Sequence, residues 1–439
     1  MPAARRRDCH LVDPFPTEPS MKLAAALLVV VAAPALAQDL SVRVVTLKSP
    51  ALGEERTVYV LTPPGYERGE RKYPVLYFTD GERHLPLLAT TARFLADVGR
   101  MPEVILVGLS HPDRTRDLTP TRGKIVQDRG PAVPYETSGG ADRFLAFVAQ
   151  ELVPWVDRSY RAERFRILAG HSFGGLFALH AAAARPGVFQ AVIAASPTLT
   201  WDGNLAVRRV RDAVATLGGT IVFSMGEEGR LSDDRFEELK RVLASGGGAL
   251  RSRGLRLAGE DHLTTPYPTY YAGLREVFDG WSMPVNPEAI GPRGGVAAVE
   301  AHYRALSQRL GFAVPPPERA LALAGLQELL EADTAGALRT LGRAVELYPS
   351  SARALHALGA AHEHAGDHGR AVDAYRRAWA AAKAMNDRDT RSYEASYTRA
   401  AAARAGERRE LPRPGDPSIL RESCDHFGRY EPDSRAGRD

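Results

Sequence analysis

Cysteine is nearly absent, with only Cys9 and Cys424 in 439 residues. Cys9 falls in a stretch that reads as a leader, so the processed chain would keep Cys424 alone and could form no internal disulfide. Long apolar runs are missing as well. The apolar stretch near the N-terminus offers roughly 14 suitable residues where a membrane-spanning helix needs about 20, which argues against a stable span after processing. There is also no stripe of lysine and arginine interleaved with aromatic residues. With a net charge of only +4, no nucleic-acid partner is read.

What the N-terminus does contain is Met21-Lys22, an apolar run over 23–33, then Pro34-Ala35-Leu36-Ala37 before Gln38. A charged start, a short apolar segment and an A-x-A site make a secretory signal at 21–37. Residues 1–20 then read as an upstream extension, and Met21 competes with Met1 as the start. Gln38 rather than cysteine follows the cleavage site, so a lipoprotein is not expected. The expected location is periplasmic or secreted. Removing 1–37 takes away four basic and three acidic residues and leaves +3, so the charge argument stands.

The chain is organised around Phe165-Arg166-Ile167-Leu168-Ala169-Gly170-His171-Ser172-Phe173-Gly174-Gly175. A strand-like run meets Gly-His-Ser-Phe-Gly and passes directly into a small-residue helix. This is the pattern of a nucleophile elbow, a turn so tight that Gly170 and Gly174 must lack side chains while Ser172 Oγ stands at a helix N-terminus. The plainer alternative is that Ser172 only caps the helix.

Residues 41–47 and 56–61 alternate in polarity and suggest an antiparallel start to a sheet. Continuous apolar runs follow at 75–78, 104–107, 165–168, 191–195, 221–223 and 255–257, separated by helical patterns. Buried strands alternating with helices predict an α/β fold with a mostly parallel, doubly wound sheet, and a site at the carboxyl ends of the strands. A serine nucleophile needs a base and an orienting acid. His262 lies in a loop after the last strand and is the predicted base. For the acid, the strand at 221–224 runs into Gly226-Glu227-Glu228, with Glu228 favoured and Glu227 the alternative. The oxyanion donors are expected to be the N–H groups of Phe173, directly after the nucleophile, and of Gly81 in the Asp80-Gly81 turn.

These residues resemble the bacterial putative-esterase branch of the α/β-hydrolases, which includes siderophore trilactone, feruloyl and acetylxylan esterases, S-formylglutathione hydrolases and mycolyltransferases. The resemblance covers about 42–281. It rests on Arg56-Thr57-Val58-Tyr59-Val60-Leu61-Thr62-Pro63, Asp80-Gly81, Arg114-Thr115-Arg116-Asp117-Leu118-Thr119-Pro120, Ser138-Gly139-Gly140-Ala141-Asp142, the elbow, and Ser196-Pro197. It implies an esterase with Ser172 as nucleophile and His262 as base, and no metal or organic cofactor. One departure concerns the acid. The family shows Gly-x-x-Glu there, whereas Glu228 is only two residues past Gly226.

The segment 282–295, rich in proline and glycine, reads as a linker. Beyond it Ala337, Leu341 and Ala344 recur 34 residues later as Ala371, Tyr375 and Ala378, a tetratricopeptide-like spacing. Units at 318–351 and 352–385, flanked by capping helices, are expected within a helical domain at 296–405. Residues 406–439 read as a flexible tail. The expected organisation is thus a leader at 1–37, a hydrolase domain at 38–281, the linker, the helical domain and the tail. The expected function is an exported serine carboxylic-ester hydrolase acting on a small-molecule ester, either a siderophore lactone or a hydroxycinnamoyl or acetyl ester, with the repeats available to a protein partner. The alternatives are a helical-repeat binding protein with a scaffold hydrolase, or an acyltransferase. Because the repeats hold no candidate site residue, a chain ending near 287 is expected to fold and keep small-ester activity.

Overall fold

The computed structural model describes residues 42–286 and 289–405. The signal read at 21–37, the tail at 406–439 and both cysteines lie outside them. Eight strands form the main sheet: β1 (Arg43–Ser49), β2 (Glu54–Leu61), β3 (Tyr73–Phe78), β4 (Ile105–Leu109), β5 (Ala162–His171), β6 (Ala191–Ala195), β7 (Gly219–Met225) and β8 (Leu250–Arg256). Their spatial order is β1-β2-β4-β3-β5-β6-β7-β8. β1 pairs antiparallel with β2, and β2 antiparallel with β4. Every other pairing is parallel.

The connections are α1 (Gly81–Asp97), α2 (Arg114–Leu118), α3 (Ala141–Phe147), α4 (Val153–Ser159), α5 (Phe173–Ala184), α6 (Leu205–Ala213), α7 (Arg230–Ala244) and α8 (Pro266–Val277). Alternation along each strand sorts the side chains onto two faces. Val75, Tyr77, Leu168, Val192 and Ala194 join one apolar core with Phe144, Phe177, Val207 and Phe236 from α3, α5, α6 and α7. Leu76, Phe78, Ile167, Ala169 and Ile193 join the other, with Leu88 of α1 and Leu274 of α8. β3, β4 and β6 are buried throughout and read as near-continuous apolar runs, whereas the edge strand β8, where an apolar run was expected at 255–257, is exposed or half-buried throughout and carries Arg251, Arg253 and Arg256.

Six more helices follow: α9 (Gly295–Leu310), α10 (Glu318–Leu330), α11 (Thr334–Leu347), α12 (Ala352–His364), α13 (His368–Ala384) and α14 (Thr390–Arg404). α10 and α12 begin 34 residues apart, as do α11 and α13. Tertiary contacts recur at the same interval. A Cβ at Gly325 would press on Leu341, and one at Gly359 on Tyr375. Likewise Asp333 accepts from the Gly336 N–H at 2.8 Å and Asp367 from the Arg370 N–H at 3.0 Å, each capping the second helix of its pair.

The segment read as a linker does not separate the two regions at a sparse boundary. Val299, Tyr303, Leu306, Leu310, Val314 and Leu321 belong to the same buried cluster as Leu76 and Phe78 of the sheet. Phe312 packs on Phe165 with ring centroids 5.8 Å apart. Arg309 donates to the carbonyls of Val277 and Asp279, and the Tyr303 hydroxyl to that of Trp281. Phe165 lies near the amino end of β5, and Val277, Asp279 and Trp281 lie at or just past the carboxyl end of α8. Ser172 follows the opposite end of β5, seven residues from Phe165, or about 23 Å at strand spacing.

Candidate active site

β5 ends at His171, and Ser172 makes the turn into α5 with φ 61° and ψ −118°. Positive φ in a residue with a Cβ costs on the order of 1–3 kcal/mol and persists only where the surroundings enforce it. Here the Ser172 N–H donates to the Ala195 carbonyl at 3.0 Å, and the Thr198 N–H donates to the Ser172 carbonyl at 3.2 Å, which fixes the turn to the end of β6. The flanking glycines have no room for a side chain. A Cβ on Gly170 would collide with the Gly174 carbonyl, and one on Gly174 with the Thr79 hydroxyl.

The elbow raises Ser172 Oγ toward His262, whose Nε2 lies 2.9 Å away. On the other side of the ring, Nδ1 meets Glu228 Oε2 at 2.7 Å. Glu227, the other candidate acid, points elsewhere. Its Oε1 accepts from the Gly259 N–H at 3.0 Å, and its own N–H donates to the Glu260 carbonyl at 2.7 Å. The chain can make both bonds because Gly226 lies directly against the Glu260 carbonyl, where a Cβ would clash. One carboxylate therefore faces the imidazole while its neighbour ties down the loop that carries it.

Burial pushes the Glu228 carboxyl up, but the hydrogen bond of His262, the Ser196 hydroxyl, the His262 charge and the Gly226 main chain together outweigh it, so the group sits below the usual carboxylate range. It remains an anion at neutral pH. An imidazole whose Nδ1–H is held by a carboxylate presents Nε2 as the acceptor, and Ser172 Oγ–H is placed to donate to it. His262 is 38% exposed and Glu228 14%. Leu263 and Tyr267, just past His262, are also exposed.

The turn at Asp80-Gly81 adjoins the elbow. Gly81 opens α1 and Phe173 opens α5, and first-turn N–H groups have no intrahelical acceptor. A Cβ on Gly81 would stand 2.9 Å from the backbone of Gly108, so only glycine fits. Sequence reasoning did not find what fixes this turn. Arg114 donates to Asp80 Oδ1 at 2.6 Å and Oδ2 at 3.0 Å, and to the His171 carbonyl at 3.0 Å. It thus bridges the two loops from which the candidate oxyanion donors come. Burial raises the Asp80 carboxyl, but the Arg114 bonds and charge bring it below its ordinary value. Arg114 was visible in the sequence only as part of the Arg114–Pro120 motif.

A two-stranded ribbon, Lys124–Ile125 with Val133–Pro134, was also missed. Ile125 bridges to Trp201. In the ribbon's loop, Asp128 Oδ1 accepts from the Leu231 N–H at 2.8 Å, three residues past Glu228. Two-residue strands carry no periodicity that a sequence reading could detect.

Residues 49–239 match the family described as Putative esterase. The matched region holds the elbow and Glu228, and the match supports the putative-esterase branch of the α/β-hydrolases. The family match and the esterases it resembles support carboxylic ester hydrolase activity. Among curated proteins it is 26% identical over 217 residues to the ferri-bacillibactin esterase BesA of Bacillus subtilis, a match covering 44% of this chain and 74% of that one. It is 36% identical over 118 residues to the siderophore enterobactin esterase of Emericella nidulans, covering 26% of this chain and 38% of the relative. Among solved structures, an IroE-like serine hydrolase from Shewanella oneidensis superposes with a TM-score of 0.58 at 24% identity. That superposition covers 70% of this chain and 99% of the other. An uncharacterised protein from Capnocytophaga ochracea also gives 0.58, at 18% identity, over 77% of this chain and 93% of that one. At these identities the superpositions establish the fold. Among the described residues, no helix is long and apolar enough to cross a membrane.

Proposed function

We propose that the esterase works through a covalent acyl-enzyme. Ser172 Oγ attacks the ester carbonyl carbon as His262 Nε2 takes its proton. The N–H groups of Phe173 and Gly81 receive the developing oxyanion. The tetrahedral species collapses as His262 returns the proton to the departing alkoxide, releasing the alcohol. Water, deprotonated by His262, then attacks the acyl-Ser172 carbonyl, and the acid leaves as Oγ is reprotonated. Glu228 holds the imidazole in the productive tautomer and balances its transient charge. The observation that carries this reading is one imidazole within hydrogen-bond distance of both Ser172 and Glu228.

For the substrate we infer a siderophore ester. The support is that the relatives from Bacillus subtilis and Emericella nidulans are named for siderophore hydrolysis. A second support is the exposure of His262, Leu263 and Tyr267, which suits a bulky ester that a closed pocket would exclude. The leader at 21–37 supports export. We further read the 34-residue helix pairs as tetratricopeptide-like repeats, a platform for a protein partner on the side of the molecule away from Ser172.

The test pairs a fluorophosphonate probe with an ester panel. Wild type is expected to be labelled, and Ser172→Ala to lose labelling and roughly three or more orders of magnitude in kcat while remaining folded. Labelling of Ser172→Ala, or its full activity, would remove Ser172 as nucleophile. Cyclic catecholate trilactones are expected to outrun hydroxycinnamoyl and acetyl-sugar esters in kcat/KM, and the reverse order would overturn the siderophore reading.

A further inference from the structure

The side chain directly before the nucleophile is buried and faces the base. His171 is 3% exposed, and its Nε2 lies 2.6 Å from the main-chain carbonyl oxygen of His262. A carbonyl can only accept, so the ring nitrogen carries the proton there. The two imidazoles are adjacent, with centroids 4.7 Å apart. The same carbonyl accepts from the Thr265 hydroxyl at 3.2 Å, and Thr265 is itself fully buried.

The loop at 257–265 needs such an anchor. Its outer side shows Leu263, 62% exposed, and Asp261 to solvent rather than packing them. Its other ties to the sheet are Leu257 N–H to the Met225 carbonyl and the two Glu227 bonds at residues 259 and 260. These hold the loop before residue 262. Among the described residues, His171 and Thr265 are the side chains that hold the His262 main chain itself.

We propose that His171 is a positioning residue, whose Nε2–H fixes the His262 main chain so that the imidazole is delivered onto Ser172 Oγ. This rests on the reading of Ser172 as nucleophile and His262 as base. The groups facing His171 are His84, edge-on at a centroid distance of 6.0 Å, His262, and Arg114, which donates to its carbonyl. A charged His171 beside a base that becomes cationic in the reaction would oppose catalysis. Burial, joined by the charge of His262, lowers the His171 pKa to about 4, so it is neutral across the working range. Placed one residue before Ser172 on the rigid end of β5, it couples the nucleophile and the base through a single side chain.

The test compares His171→Phe, which keeps a ring but has no N–H, with His171→Gln, whose amide nitrogen reaches about as far as Nε2. Loss of the anchor misplaces the base, and a displacement near 1 Å costs up to about a hundredfold. His171→Phe is expected to lower kcat by about tenfold or more with KM within about twofold, and His171→Gln to recover most of the loss. Fluorophosphonate labelling is expected to slow in step with kcat. If His171→Phe does not fold, His171→Met, similar in reach and also lacking a donor, takes its place in the comparison. A donor-free variant that is folded and keeps wild-type kcat, or a glutamine variant as impaired as the donor-free one, would overturn the proposal. Ser172→Ala is assayed beside them. If it stays active the site reading itself fails, whereas an inactive Ser172→Ala with an unimpaired His171→Phe refutes only the positioning role.

Discussion

Exchanging the two adjacent glutamates for glutamine separates charge from shape at the site. Glu228 Oε2 stands 2.7 Å from His262 Nδ1. Glu228→Gln keeps the size and can keep a carbonyl oxygen on the ring, but it removes the charge that balances the imidazolium formed as Ser172 attacks. Two unit charges about 4 Å apart interact by about 4 kcal/mol at an effective dielectric constant near 20. The imidazole is 38% exposed, and screening reduces this to roughly 3 kcal/mol, or about two orders of magnitude in kcat. At residue 227 the logic is reversed. Glu227 Oε1 accepts from the Gly259 N–H, and an amide oxygen accepts as well, so Glu227→Gln is expected to stay within about threefold of wild type. Steady-state hydrolysis of p-nitrophenyl acetate at neutral pH measures both, with melting curves as the control for folding. A Glu228→Gln enzyme within about tenfold of wild type, or a Glu227→Gln enzyme equally damaged, would refute the assignment of the acid.

Two further outcomes follow from the geometry. Asp117 and Arg56 are each 1% exposed and paired at 2.6 Å. Burial pushes the Asp117 carboxyl up, but hydrogen bonds from His111 and Arg56 and the Arg56 charge bring it down to about 2. A depressed carboxyl stabilises the fold above its unfolded pKa near 3.9, by about 2 kcal/mol, and that contribution is lost as pH falls from about 4 to 2. Acid titration followed by circular dichroism is expected to show this loss in wild type and not in Asp117→Asn, and identical acid limbs would refute it. A chain ended after Asn286 loses the cover on the cluster shared with Phe165 and Phe278. Uncovering two or three such side chains costs on the order of 5 kcal/mol against a total near 5–15, so a marked fall in Tm is expected, with kcat on p-nitrophenyl acetate retained in whatever remains folded. An unchanged Tm would show that the shared cluster contributes little.

The parts of this chain that are legible in the sequence are those whose physics is local. The strand at 191–195 stands out because both faces of the sheet are covered and all five of its residues are apolar and buried. The elbow stands out because a turn this tight excludes side chains at Gly170 and Gly174, and the structure has no room for either. The helix pairs were found from a spacing of 34, and their starts at Glu318 and Ala352 are where that spacing put them. The choice between Glu228 and Glu227 was not legible to the residue. It depends on Gly226 lying against the Glu260 carbonyl, a contact across 34 residues of chain, which is also why a spacing one short of the family pattern still brings a carboxylate to the ring.

His171 and the 282–295 segment were read by local rules that the tertiary structure overrides. In the sequence His171 stands out only as part of the elbow, whereas its ring nitrogen lies against the His262 main-chain carbonyl. Its environment is set by a loop 91 residues later. Proline and glycine at 282–295 do mark a break in secondary structure, but a break in backbone regularity does not imply a break in the core. Tyr303, Leu306 and Leu310 are buried in the cluster that also holds Phe165 and Phe278, and Phe312 packs on Phe165. In a mostly parallel sheet the chemistry occupies the carboxyl ends of the strands. The opposite end can therefore accept an added helical region without obstructing the approach to Ser172, and this chain places its helices there.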